Sequence, residues 1–495
     1  RLVGSEMCIR DRFISLEFVY FLIIVFLLYY IPVPGRWGKA YQVTLLLIAS
    51  AVFYGWEDVR LLSILLVSCI GNTVCSLFIL RHRERGDDAK IRGWVRNAVI
   101  LNLLLLGSFK YAGFFADIIP GLPFSWTEWL KSIPLPIGIS FYTFHGISMI
   151  IDVSKGNVRS VDSREIQINS TPLGFVKATR DVGFYMLFFP QLIAGPIVRA
   201  RQFWPQIESK KFRDIQWGTA FKFLTLGYFL KMVVADNLAE YTPYLKSLEL
   251  VGSMGGKELL TLMFGYSFQI FSDFGGYSMI AIGLAVLFGY RLPDNFNFPY
   301  ISTSITEFWQ RWNMTLSHWL RDYLYIPLGG NRKGQVRTYI NLFIVMFLGG
   351  LWHGAEWKFA LWGTCHGCFL ALERFLWRGR SSTHSFVKCL GGVYCFLTVS
   401  FLWMTFLMPD METLSLFFQR LAVWDKPVSN IVAYAVILYG IPVILFHLAG
   451  WIREHRISWN ARWHGGVLEG ALYGLMIFMI FNNSGPAEGF IYFQF

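Results

Sequence analysis

Glu307-Phe-Trp-Gln-Arg-Trp-Asn313-Met-Thr-Leu-Ser-His318-Trp-Leu-Arg321, then Leu328-Gly-Gly-Asn331-Arg-Lys333, then the apolar run Tyr339–Leu351 closing on Trp352-His353-Gly354, form the densest stretch of this chain. Hydrogen-bonding and basic groups stand here directly against a segment that hydrocarbon would accept. Ionisable side chains beside or inside hydrocarbon are costly, so they are the default candidates for function. The run also sets the fold class. An apolar segment that ends in a histidine is expected as a helix entering a membrane, with the basic residues before it on the cytoplasmic side.

Composition widens that reading to the whole chain. Of 495 residues, 55% are hydrophobic and 15% charged, and mean hydropathy is +0.45. Soluble domains carry about 25% charged residues, so the deficit indicates a membrane protein. Aromatic content is 18%, with 19 Trp, which suits interfacial belts. The net charge of +12 lies in loops between apolar runs and forms no stripe. It reads as positive-inside loop charge, and nucleic acid is not an expected partner.

Outward from the opening stretch, apolar segments recur near the length of about 20 residues that spans hydrocarbon. They include Phe13–Val33, Leu61–Leu80, Asn97–Ile119, Leu135–Ile151, Trp217–Val234, Phe359–Leu372, Val393–Phe406, Ile431–Leu448 and Leu468–Phe481. Basic loops mark the inside: Arg81 to Arg96, then Lys155, Arg159, Arg164, Lys177 and Arg180, then Arg374, Arg378 and Arg380, then Arg453, Arg456 and Arg462. Val182–Val198 carries Pro190, Gly195 and Pro196 between two basic loops, so it is expected to be re-entrant. Leu259–Tyr290 is interrupted by Ser272-Asp-Phe-Gly-Gly-Tyr277, which suggests a broken helix. The expected architecture is an all-α polytopic membrane protein, with roughly ten to twelve transmembrane helices plus re-entrant and tilted ones. Residues 13–495 read as one membrane domain. Residues 1–12, without an initiator Met or a signal-peptide pattern, read as a non-native or disordered leader.

Several residues are candidates for chemistry. A neutral His353 at the end of an apolar run can act as a base; its bland alternative is a histidine bonded to a neighbouring helix. Asn313 and His318 stand five residues apart, about 140° around an ideal helix, so one site uses both only if it wraps that helix. Arg321, Arg332 and Lys333 with Gly329-Gly330 suit a phosphate-bearing donor, or are ordinary inside charge. Asp273 and His145 are further polar groups within apolar runs, which either line a passage or pair inside the bundle. Cys365-His-Gly-Cys368 lacks a second ligand pair, so no metal is expected, and seven cysteines do not form a disulfide framework.

Leu135-Pro-Ile-Gly-Ile-Ser-Phe-Tyr-Thr-Phe144, Phe188-Phe-Pro-Gln-Leu-Ile-Ala-Gly-Pro-Ile197, Asp273-Phe-Gly-Gly-Tyr-Ser278 and Leu292-Pro-Asp-Asn-Phe-Asn297 occur in that order. Glu307–Trp312, Leu320–Arg332 and Gly349-Gly-Leu-Trp-His-Gly354 follow. In this series the chain resembles the membrane-bound O-acyltransferases, in the branch of the alginate O-acetyltransferase membrane subunits and related polysaccharide O-acetylation proteins. The resemblance runs best over residues 134–374. It implies helices around a central tunnel, with Asp273, Tyr277, His145 and Trp352 as lining candidates. It makes His353 the active-site histidine and Asn313 the second signature position, a histidine in many bacterial members.

The implied activity is acetyl transfer at the cell inner membrane, from a cytoplasmic thioester such as acetyl-coenzyme A, for O-acetylation of an extracellular polysaccharide. The implied partners are membrane lipid, the acyl donor, a periplasmic acetyltransferase and the polysaccharide acceptor. No bound cofactor is expected. Within the superfamily the alternative is D-alanyl transfer to teichoic acid from a carrier-protein thioester. The alternative of another class is a proton-coupled transporter relaying through Asp273, His318 and His353.

Overall fold

The computed structural model describes residues 12–35, 37–56, 58–158, 172–192, 195–377, 385–455, 464–487 and 489–491. The expected leader lies outside the described residues except for the backbone of Arg12, as do Arg159, Arg164, Arg378, Arg380, Arg456 and Arg462. Every regular element among the described residues is helical. Among the described residues, five helices are long and apolar enough to cross a membrane: Val59–Glu84, Trp217–Leu238, Gly256–Leu287, Phe386–Leu407 and Asn430–Glu454. A sixth is counted if Asp88–Lys110 and Ala112–Ile118, bent by 68° at their junction, form one span. This is fewer than the ten to twelve expected. Other apolar stretches fold as shorter helices, such as Leu16–Tyr29 and Ile139–Ser154, or as more polar ones, such as Gln335–His353.

Contacts divide the chain into two compact units. The first comprises Leu16–Phe221 with Ala281–Pro293. Its core helix is Ile139–Ser154, which starts at Gly138 (φ 72°), a left-handed position that suits glycine. This helix lies over a reciprocal amide pair in which Asn72 Nδ2 donates to Asn102 Oδ1 (3.2 Å) and Asn102 Nδ2 donates to Asn72 Oδ1 (2.9 Å). A Cβ at Gly146 would overlap that pair, so glycine permits the approach. Two buried amides that answer each other need no water, a device common between apolar helices. The Val59–Glu84 helix ends with Arg81, His82 and Arg83 in its last turn, where cations suit the negative end of the helix dipole.

In the same unit the Pro172–Leu187 helix stops before Phe188, a single helical turn Phe189–Leu192 follows, and residues 195–199 are buried non-helical backbone. Tyr185 Oη donates to Val198 O (2.7 Å), Gln191 Nε2 to Tyr185 O (2.6 Å), and Val198 N–H to His145 Nε2 (3.3 Å). Irregular backbone sealed from water keeps its polar groups paired through such bonds.

The second unit comprises Arg1–Ser15, Lys222–Ile280 and Asp294–Phe495. Here one expectation is corrected. Gly256–Leu287 is a continuous helix of 32 residues, not a broken one. Gly275-Gly276 does not interrupt it. A Cβ at Gly276 would press on Gly227 O and Lys231 N, so the glycine serves close packing against the preceding helix.

Candidate active site

The site is built in the second unit from three pieces: the Ile305–Arg311 helix with the turn after it, the end of the Gln335–His353 helix, and the Trp357–Trp377 helix. Ile305–Arg311 is too short to be stable alone. Its start is held by Ser304, whose Oγ accepts the Glu307 N–H (3.1 Å), while Glu307 Oε2 accepts the Thr303 N–H (2.8 Å). Glu373, buried on the Trp357–Trp377 helix, also accepts from Ile305 N (2.6 Å) and Thr306 N (3.0 Å). Arg311 locks the far end through a forked pair with Glu454 (2.6 and 2.9 Å) and a bond to Glu307. In Glu307-Phe-Trp-Gln-Arg-Trp312, then, Glu307 caps, Arg311 fastens, and the aromatics point into the core.

Asn313 follows in left-handed backbone (φ 41°, ψ 53°), a region that asparagine tolerates better than most residues. The turn around it is fixed by Asn295, whose backbone O accepts Met314 N–H (2.9 Å) and whose Oδ1 accepts the Thr315 hydroxyl (2.8 Å). Asn295 Nδ2 in turn donates to Ser278 Oγ (3.2 Å). Asn313 is buried at 3% exposure, whereas His318 lies on the exposed side of the next helix, so the two face different surroundings.

His353 is the last residue of its helix and is buried. Its position depends on glycines: a Cβ at Gly350 would overlap Phe359 O, and one at Gly363 would overlap Met346 O. The two helices therefore meet backbone to backbone. The His353 ring has Trp352 at 5.0 Å, Trp362 at 5.1 Å and Phe406 at 5.0 Å. Behind Trp362 lie His366 (4.7 Å) and Trp403 (5.8 Å), and Trp403 lies 4.9 Å from Trp312, the neighbour of Asn313. An aromatic nest thus connects His353 with Trp312, the residue before Asn313.

The other sequence candidates are placed elsewhere. Asp273 forms an ion pair with Lys231 (2.8 Å), which also bonds Asp236 (2.8 Å), and Asp273 Oδ2 accepts the Ile491 N–H (2.8 Å). Lys231 was not singled out from the sequence; a lysine inside an apolar run five residues before an aspartate was the available signal. Tyr277 packs between Phe13 (4.7 Å) and Phe490 (4.6 Å). His145 belongs to the other unit. Arg321 pairs with its neighbour Asp322 (2.7 Å), and Arg332 and Lys333 are exposed. The turn that carries them, with Gly329 and Gly330 at positive φ, is held by buried Asn341, whose Nδ2 donates to Gly330 O (2.8 Å). No group of three potential metal ligands occurs among the described residues.

Comparison with known proteins places the chain in a family. Residues 180–418, which include the whole nest, match the membrane-bound O-acyltransferase family. The probable alginate O-acetylase AlgI of Azotobacter vinelandii is 38% identical over 411 residues, 81% of this chain and 76% of that protein. The peptidoglycan O-acetyltransferase of Helicobacter pylori is 34% identical over 79% of this chain and 76% of its own length. The teichoic acid D-alanyltransferase of Bacillus subtilis is 26% identical over 72% of this chain and 87% of its own. The chain belongs to the membrane-bound O-acyltransferase family and is a multi-pass membrane O-acyltransferase.

Proposed function

We propose that this enzyme, in the cell inner membrane, takes an acetyl group from a cytoplasmic thioester of the acetyl-coenzyme A class. The acetyl group serves O-acetylation of an extracellular polysaccharide such as alginate, through a periplasmic acetyltransferase. The observation that carries the reading is His353, buried in an aromatic nest that reaches, through Trp362, Trp403 and Trp312, to the turn that presents Asn313. A neutral imidazole there removes the proton of the acceptor hydroxyl as its oxygen bonds to the thioester carbonyl carbon. Collapse of the tetrahedral intermediate breaks the C–S bond, and the thiolate leaves with the proton returned by the imidazolium. Asn313 orients the base or the carbonyl through its amide, and exposed Arg332 and Lys333 attract the anionic part of the donor. The similarity to a teichoic acid D-alanyltransferase favours D-alanyl transfer from a carrier-protein thioester as the second reading.

The test is transfer of label from acetyl-coenzyme A or from a carrier-protein thioester, in membranes holding wild type or His353→Ala at matched folded amounts. Label that moves from acetyl-coenzyme A only when His353 is present supports the first reading. Label that moves only from the carrier thioester selects the second. Equal transfer by both proteins removes His353 from the chemistry.

A further inference from the structure

We propose that Trp362 and His366 are the oxyanion donors of this enzyme: their ring N–H groups hold the thioester carbonyl oxygen while His353 acts on the acceptor hydroxyl. The proposal rests on the acyl-transfer reading above and assigns two residues to it. Trp362 and His366 stand four apart, on one side of the Trp357–Trp377 helix, with exposures of 1% and 0%. Their rings are 4.7 Å apart, and Trp362 stands edge to face with His353 at 5.1 Å.

The protonation of His366 follows from its partner. Trp309 Nε1–H donates to His366 Nδ1 at 3.3 Å. A tryptophan N–H only donates, so Nδ1 carries no proton, and a neutral imidazole must then carry it on Nε2. That Nε2–H has no acceptor among the described residues, and neither has the Trp362 Nε1–H. A buried donor left unsatisfied is costly and rare. Two of them one helical turn apart, beside the candidate base, call for a hydrogen-bond acceptor.

A carbonyl oxygen is such an acceptor, and it becomes a far better one as it gains charge. When the hydroxyl oxygen bonds to the carbonyl carbon, the C=O electron pair moves onto oxygen while His353 takes the proton. Both N–H groups then face an oxyanion inside walls made of Phe308, Trp309, Trp403 and Phe406. Donors fixed in a dry site before charge develops are more effective than water, which must first reorient. Collapse returns the electron pair to C=O and releases the thiolate, which is protonated by the His353 imidazolium.

The test uses the full chain in membranes or nanodiscs, with Trp362→Phe, His366→Phe and His366→Gln beside His353→Gln, each checked by thermal unfolding. Trp362→Phe and His366→Phe are expected to lower kcat about 10²- to 10³-fold each, as lost oxyanion donors do, with donor KM little changed. His366→Gln keeps an N–H and is expected to recover roughly tenfold over His366→Phe. Turnover of both Phe variants near the parent rate, or a loss that lies in KM alone, overturns the proposal. If Trp362→Phe does not fold, the His366 pair decides: recovery by Gln supports the proposal, and equal loss in both overturns it. If His353→Gln is inactive while both Phe variants are unaffected, only this inference fails. If His353→Gln keeps full activity, the acyl-transfer assignment of His353 fails with it.

Discussion

Lys231 and His366 are both polar groups sealed inside the same unit, and the fold treats them in opposite ways. Lys231, 1% exposed, has a carboxylate on either side, Asp236 and Asp273. His366, 0% exposed, has one nitrogen answered by Trp309 and the other unanswered. A charge removed from water is tolerated only when paired, so the lysine cluster is completed by the protein itself. A neutral N–H is cheaper to leave open, and an open donor is useful only to something that arrives. The comparison separates a group that holds the unit together from one positioned for a ligand.

The sharpest way to break this distinction is Lys231→Met. It leaves two carboxylates buried without a counter-charge and is expected to cost about 3–5 kcal/mol. Thermal unfolding in detergent would show it, and a variant as stable as the parent would show that the cluster is not structural. Next in size is Gly363→Ala. Its Cβ would meet the Met346 backbone, and overpacking of this kind costs about 1–3 kcal/mol. Activity should fall more than stability does, because the helices bearing His353 and Trp362 are forced apart; unfolding and turnover measured on one preparation would compare the two.

Trp309→Phe sharpens the other side. It removes the bond that fixes the His366 proton on Nε2 while keeping an aromatic ring, so stability should change by only about 1 kcal/mol. The expected result is a lower kcat at constant KM; a change in KM alone would count against the tautomer argument. The smallest effect is expected from Arg332→Gln with Lys333→Gln. Exposed charges contribute about 0–1 kcal/mol each, so donor KM should rise several-fold at low salt and converge with wild type as salt screens the site.

Much of this arrangement was legible in the sequence. An apolar run closing on Trp352-His353 announced the end of a helix, and the ordered blocks around it announced the family. Less legible was anything that depends on which helices touch. Ser272-Asp-Phe-Gly-Gly-Tyr277 looked like a break because glycine lowers helix propensity. Its real cause is the close approach of Gly227 and Lys231, a tertiary fact invisible along the chain. Apolar length alone does not fix a span count either: Leu135–Ile151 folds as the 16-residue helix Ile139–Ser154, buried nearly all round although it carries Thr143, His145, Ser148 and Asp152. Nothing in Cys365-His-Gly-Cys368, which lacks a second ligand pair for a metal, marks His366 for chemistry along the chain. The pairing with Trp309 that sets its proton spans 57 residues. Its spacing of four from Trp362 was the one local signal.

The central claim is that His353 is the base of an acyl transfer, and single-turnover transfer of labelled acetyl from acetyl-coenzyme A by folded His353→Gln tests it most directly. Loss of general base catalysis predicts a rate about 10²- to 10⁴-fold below wild type, with unfolding temperature unchanged. A folded His353→Gln that transfers at the wild-type rate would contradict the account.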